Sequence, residues 1–326
     1  MKQQFKPELL RQCIFLAGPT ASGKTDIAMS IADAIGNVEI VSLDSMCIYR
    51  EMDIGTAKPS LEQREAVPHH LIDVVDPHED YSVADYIQDS QDACEAIIDR
   101  GATPLFVGGT GLYLRGVLRG VFHGPPADQE IRDRYQKQAD EAAAKGDNFY
   151  LMGQLERVDI DATMRLHPND HRRLIRALEV YEITGIPLSK QQKQPVLPEG
   201  QRPENVFWLD APRDWLHERI NRRVELMIEA GLIDEVQRLA ARQPPTSHTA
   251  GQGLGYKEVV AAFDDTQQVP TDKLPELIDT IQTRTRQFSK RQYTMFRNTE
   301  ECRAVEFDGT ENPEQLAQQI RDSLKN

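Results

Sequence analysis

The sequence predicts an α/β chain: a doubly wound parallel sheet interrupted by an all-helical insertion. Three observations predict it. Apolar runs of strand length alternate with amphipathic helical stretches through the first third of the chain. Strand character then disappears from about residue 123 to Leu188, where the periodicity is helical throughout. It resumes at Val206, so core elements flank the helical stretch on both sides.

The first strand is the run Cys13-Ile14-Phe15-Leu16-Ala17, and it leads into Gly18-Pro19-Thr20-Ala21-Ser22-Gly23-Lys24-Thr25. A helix follows, with Ile27, Ala28, Ile31 and Ile35 on one side and Gly36 as its stop. The eight residues match G-x-x-x-x-G-K-T, and the strand-loop-helix context is the one in which that pattern forms a phosphate-binding P-loop. The core is therefore expected to be P-loop NTPase-like. Val38-Glu39-Ile40-Val41-Ser42 reads as a second buried strand ending at Leu43-Asp44-Ser45. Ser82 with Asp85 forms a capping box for a helix through Asp99, closed by Arg100-Gly101. Pro104-Leu105-Phe106-Val107 is a further buried strand, running into Gly108-Gly109-Thr110-Gly111. In the insertion, helices are expected over residues 127–145 and from the cap Asn169-Asp170 to Thr184-Gly185. Residues 190–205 are polar and proline-rich and read as a linker. A strand at Val206-Phe207-Trp208-Leu209-Asp210 then precedes long helices over residues 215–241 and 274–297, a strand over 304–307 and a terminal helix. The expected division is a core of residues 1–121 and 202–326, with an insertion of residues 122–201.

Bulk properties narrow the function classes. The 326 residues are 39% hydrophobic with a mean hydropathy of -0.54, and no apolar run approaches the roughly 18 residues a membrane span needs. Met1-Lys2-Gln3-Gln4-Phe5-Lys6 lacks the apolar segment of a secretory leader. Cys13, Cys47, Cys94 and Cys302 show no C-x-x-C spacing, which suits a reducing, cytoplasmic setting. A net charge of -14 argues against a general nucleic-acid binder. Two basic stretches stand out, however: residues 165–176 carry net +3 and residues 284–297 net +5. An acidic body with concentrated basic patches can engage a polyanion locally and discourage indiscriminate binding.

Ligands of doubly wound sheets lie at the carboxyl ends of the strands, which singles out the P-loop, Asp44-Ser45 and Gly108-Gly109-Thr110. Loop N–H groups and the helix N-terminus would hold phosphate oxygens, Lys24 adds charge, and Thr25 offers a hydroxyl to Mg²⁺. Asp44 could take a proton from a nucleophile on the acceptor side or orient Mg²⁺ waters. Gly108-Gly109 permits close approach to a ligand, and Thr110 supplies a hydroxyl. His69-His70 is not expected to bind metal, because adjacent side chains point apart and no third ligand is near in sequence. Tyr81, Asp73 and Asp76 read as loop residues. In the helix around residue 290, Arg286, Lys290, Tyr293 and Arg297 share one face and Arg284, Phe288, Arg291 and Met295 another. Cations interleaved with aromatics suit a phosphate backbone or an unstacked base. Spacing alone also fits a small-molecule kinase; the absence of an apolar strand ending in Asp or Glu at the Walker B distance weakens a motor ATPase.

The P-loop string, Asp44-Ser45 with Ile48-Tyr49, and Met52-Asp53-Ile54-Gly55-Thr56-Ala57-Lys58-Pro59 resemble the bacterial tRNA dimethylallyltransferases, also called tRNA isopentenyltransferases. The similarity continues through Val107-Gly108-Gly109-Thr110, His167-Pro168-Asn169-Asp170, Arg176-Ala177-Leu178-Glu179-Val180, Gly255-Tyr256 and Lys290-Arg291-Gln292, covering nearly the whole chain. The resemblance implies transfer of a dimethylallyl group from dimethylallyl diphosphate to N6 of adenosine 37 of tRNA, with Mg²⁺. Gly18 to Thr25 would then cradle the leaving diphosphate, Thr20 near the donor, Lys24 holding charge and Thr25 ligating the metal. Asp44 would accept the N6 proton, with Lys24 and Thr110 as further catalytic residues. Implied tRNA contacts are Asp44, Ser45, Met46, Cys47, Thr110, Arg132, Arg172, Arg173, Leu174, Ile175, Arg176, Gln252, Gly253, Leu254, Gly255, Tyr256, Lys257, Lys290, Arg291 and Arg297. Met46-Cys47 and His171-Arg172 depart from the family pattern. The insertion would hold the anticodon stem-loop, and the target base would be flipped into a channel. A cytoplasmic monomer with no membrane partner is expected, with ATP or another nucleotide as a possible P-loop competitor. The alternatives are an isopentenyltransferase acting on a free nucleotide, and a P-loop kinase or nucleotide-gated RNA-binding protein without prenyl chemistry.

Overall fold

A computed structural model describes residues 2–122, 124–192 and 194–325; residue 123, taken above as the approximate start of the helical periodicity, lies outside them. Six parallel strands form the main sheet, in the spatial order His69–His70, Val38–Leu43, Thr103–Gly108, Ile14–Ala17, Val206–Asp210 and Arg303–Glu306. The apolar runs become its central strands because a parallel strand covered on both faces must be apolar at successive positions. Ile14–Ala17 is buried at every residue. Side chains alternate between faces: Ile14 and Leu16 join Ile27, Ile31, Leu316 and Ile320 in one cluster, whereas Phe15 stacks on Phe106 with ring centroids 4.6 Å apart.

Register positions the site. Ala17 pairs with Gly108 and Trp208, and Gly108 pairs in turn with Leu43. The next residues, Gly18, Gly109 and Asp44, therefore leave the sheet at one level on neighbouring strands about 5 Å apart. Three turns from distant parts of the chain meet at one edge for that reason.

The P-loop helix runs Lys24–Ile35, the capped helix Val83–Asp99 and the long basic helix Leu274–Arg297, as the sequence indicates. The single helix expected over 215–241 is instead two, Arg213–Glu229 and Leu232–Ala240. Gly231 between them has φ 96°, a left-handed conformation that ends one helix and starts another. Helices Leu61–Ala66 and Gly111–Arg119 were not foreseen, although Ser60 and Gln63 form a full capping box. His69–His70 is a short edge strand. His70 Nε2 lies 2.6 Å from Glu39 Oε2 and His69 Nδ1 2.7 Å from the Val67 carbonyl, so the two rings serve separate partners.

The chain divides into two compact units, one of Phe5–Arg119 with Val196–Asn326 and one of Met1–Gln4 with Gly120–Pro195. These bounds differ from the expected insertion of 122–201 at both ends. Its start moves because Lys2–Gln3 pairs antiparallel with Val121–Phe122 inside the smaller unit. Its end moves because the segment after Pro195 is tied to the larger unit, where Arg202 meets Glu300 at 3.0 Å. The smaller unit packs helices Gln129–Ala143, Tyr150–Glu156 and His171–Thr184 around Leu151, Leu155, Leu174, Leu178 and Val180. The helix expected over 127–145 is shorter because Asp128 is its cap, accepting from Ile131 N at 3.1 Å. Among the described residues no helix is long and apolar enough to cross a membrane.

Candidate active site

A cavity of about 640 Å³ opens in the larger unit at the carboxyl edge of the sheet. Thr20 to Thr25, Asp44 to Cys47 and Gly108 to Thr110 line it, as the register requires. So do Gly55 to Pro59, Gln252 to Lys257, Arg219, Arg223 and the face of the long helix carrying Ile281, Thr285, Phe288, Arg291 and Gln292.

The P-loop is set for an anion. Ala21 and Gly23 have φ 64° and 85°, and a turn of this kind makes a concavity of backbone N–H groups at a helix N-terminus. Lys24 Nζ donates to the Pro19 carbonyl at 2.7 Å. Burial lowers the Lys24 pKa to about 7, aided by Arg223 and opposed by Asp44. Gln292 reaches across from the long helix: its Oε1 accepts from Thr20 N at 2.9 Å and its Nε2 donates to the Gly109 carbonyl at 2.8 Å. That one side chain bolts the P-loop to the neighbouring strand end.

Asp44 stands on the acceptor side. Its Oδ1 accepts from Met46 N at 2.8 Å and Cys47 N at 3.3 Å, an Asx turn that fixes the carboxylate and leaves Oδ2 for other chemistry. Thr110 orients the same turn, since its hydroxyl accepts from Ser45 N at 3.0 Å. On the helix Arg213–Glu229, Arg219 and Arg223 lie one turn apart. Arg219 Nε donates to the Ala21 carbonyl at 2.9 Å, and its guanidinium lies 4.6 Å from the Trp215 ring. Burial lowers the Arg223 pKa against the pull of Asp44. Three basic side chains, Lys24 of the loop with Arg219 and Arg223 beside it, thus stand opposite one fixed carboxylate.

The family model for IPP transferase matches residues 47–299. The chain belongs to the IPP transferase family. It is 40% identical over 310 residues to a tRNA dimethylallyltransferase of Pelotomaculum thermopropionicum, covering 94% of each chain. The full-length tRNA isopentenylpyrophosphate transferase of Bacillus halodurans matches in structure with a TM-score of 0.66 at 35% identity, covering 96% of this chain and 95% of that one. A eukaryotic dimethylallyltransferase, solved acting on tRNA, matches with a TM-score of 0.66 at 28% identity over 90% of this chain and 73% of its own.

Within this family member, the residues named from sequence fall into three groups. Thr20 to Thr25 of the P-loop, Asp44 to Cys47, Thr110, Gln252 to Lys257 and Arg291 meet at the cavity, whereas Gly18 and Pro19 are not on its wall. Lys290 lies outside it, in a basic groove with Arg115 and Arg291, and Arg297 is not on the cavity wall. In the helical unit, Arg172 and Arg173 are exposed. Leu174 and Ile175, expected among the tRNA contacts, are instead 0% and 7% exposed in that unit's core; helical periodicity turns them inward while Arg172 and Arg173 turn out. Arg132 and Arg176 both pair with Glu179, at 2.9 Å and 2.6 Å, a carboxylate whose side chain is wholly buried. Sequence reasoning missed Arg219 and Arg223. Their signal was present as two arginines at i, i+4 beside the apolar pair Ile220 and Val224.

Proposed function

We propose that this protein transfers a dimethylallyl group from dimethylallyl diphosphate to N6 of adenosine 37 in the anticodon loop of tRNA, releasing diphosphate. The observation carrying this reading is the single cavity on which the P-loop, the fixed Asp44 carboxylate and the segment Gln252 to Lys257 converge. Its volume exceeds the roughly 300 Å³ at which ligand pockets begin, leaving room for a donor and a flipped base together.

The chemistry follows from the arrangement. The diphosphate sits on the loop amides, Lys24, Arg219 and Arg223, which stabilise the negative charge that grows as the bond from C1 to oxygen breaks. N6 forms its new bond to C1, and its proton passes to Asp44. An exocyclic amine is a weak nucleophile, so alignment within the cavity matters as much as proton removal. Mg²⁺ fits the donor set. Thr25 offers a hard oxygen at the start of the P-loop helix, and no cluster of three His, Cys, Asp or Glu exists among the described residues. A metal here would rest on Thr25, substrate oxygens and water, as Mg²⁺ prefers, and would neutralise diphosphate charge. The exposed Arg172 and Arg173 supply cationic contacts to the RNA backbone. A monomer in the cytoplasm is the corresponding setting.

Incubation of the purified protein with labelled dimethylallyl diphosphate, unmodified tRNA and AMP tests the reading. Label in N6 of a tRNA adenosine is expected. Label only in free AMP would assign it to the free-nucleotide enzymes, and no transfer would leave a P-loop protein without prenyl chemistry.

A further inference from the structure

Glu235 lies on the helix Leu232–Ala240 and is 2% exposed. Its carboxylate accepts from three consecutive backbone amides: Asp53 N at 3.0 Å, Ile54 N at 2.9 Å and Gly55 N at 3.2 Å. The Tyr256 hydroxyl donates to it at 2.7 Å. A buried carboxylate with this many donors is an internal anion in a backbone nest, with charge-assisted bonds stronger than neutral ones.

What it joins is the far wall of the cavity. Residues 55–58 line that wall on one side and Gln252 to Lys257 on the other. Gly55 is needed where they touch, because a Cβ there would fall on the Tyr256 ring, 2.8 Å from its hydroxyl oxygen. The wall continues to the acceptor turn. Cys47 Sγ is 4.0 Å from the Thr56 carbonyl, and a Cβ on Gly253 would lie 2.9 Å from Tyr256 and 3.4 Å from Met46 Sδ. The other end of the loop is pinned by Lys58, whose ammonium reaches the Tyr49 carbonyl at 2.6 Å, Asp53 at 2.7 Å and Asp73 at 2.6 Å. None of these contacts involves the P-loop.

We propose that Glu235, with Tyr256, is a positioning residue that locks the loop of residues 52–58 and the segment 252–257 into one rigid wall, shaping the acceptor half of the site and leaving the diphosphate half untouched. This rests on the prenyl-transfer reading above. Glu235→Gln replaces one acceptor oxygen by an amide that opposes the loop N–H groups, and Tyr256→Phe removes only the hydroxyl.

Steady-state transfer assays on wild type, Glu235→Gln, Glu235→Asp and Tyr256→Phe, with donor-diphosphate affinity measured by calorimetry, test it. For Glu235→Gln, kcat/KM for tRNA should fall about tenfold or more while the diphosphate Kd stays within about twofold. Tyr256→Phe should fall in the same direction by less, and Glu235→Asp, which keeps the charge, should recover part of the loss. Unchanged tRNA kinetics in a folded Glu235→Gln would overturn the proposal. Equal losses in tRNA and diphosphate binding would also overturn it, because a general loosening moves both. If Glu235→Gln does not fold, Tyr256→Phe decides alone by the same split. Wild-type protein that transfers no label indicts the prenyl-transfer reading instead.

Discussion

In the proposed reaction Lys24 holds the donor diphosphate, and its burial sets its protonation. Burial lowers its pKa to about 7, so its positive charge weakens as pH rises through neutrality. A bound diphosphate favours the ammonium, so the pKa must rise on binding and a proton is taken up above pH 7. The diphosphate Kd should therefore weaken as pH rises above 7, by up to about tenfold per unit, and change little from this group below pH 7. Calorimetry in buffers of different ionisation enthalpy reads the proton uptake directly. Asp44 acts on a different quantity. Asp44→Asn keeps the shape and the Asx turn but removes the base, so kcat should fall by about 10²–10⁴ with tRNA affinity changed only a few-fold. An unchanged kcat removes Asp44 from proton transfer.

At the scale of elements, the sheet register brings three strand ends together, and the long helix Leu274–Arg297 ties two of them, the P-loop and Gly109, through Gln292. Gln292→Ala strands the Gly109 carbonyl and frees Thr20 N, so the diphosphate Kd should weaken about tenfold with a smaller change in tRNA KM. Equal effects on both would mean that the bridge serves the whole cavity. The elements themselves were largely legible: strand runs, the P-loop and the Ser82–Asp85 cap are local signals. The limits of that legibility are physical. Gln292 stands 272 residues from Thr20 and Glu235 is 181 from Ile54, and no local pattern encodes such pairings. The break at Gly231 was readable from composition but was overridden by the amphipathic pattern running through it. Leu174 and Ile175 show the converse error, in which a contiguous motif stretch was taken as one surface although a helix turns every residue by about 100°.

For the whole molecule, the acidic balance and the placement of its arginines decide how RNA is met. The net charge of -14 repels a polyanion everywhere except at concentrated basic sites. Arg172→Glu with Arg173→Glu should raise the tRNA KM and lower the salt dependence of tRNA binding by about one to two in log–log slope. Diphosphate affinity should not move, because both residues belong to the helical unit. Arg132 and Arg176 carry more risk as test positions, since removing either strips a partner from the buried Glu179 carboxylate. The division of labour between the diphosphate cradle and the acceptor carboxylate is tested most directly by a crystal structure of the protein with tRNA and a sulfur-bridged, unreactive analogue of dimethylallyl diphosphate. The account predicts phosphate oxygens on the amides of residues 21–25 and on Lys24, Arg219 and Arg223, with the flipped adenine N6 within hydrogen-bond reach of Asp44. Phosphates lodged away from that loop, or an adenine turned away from Asp44, would contradict it.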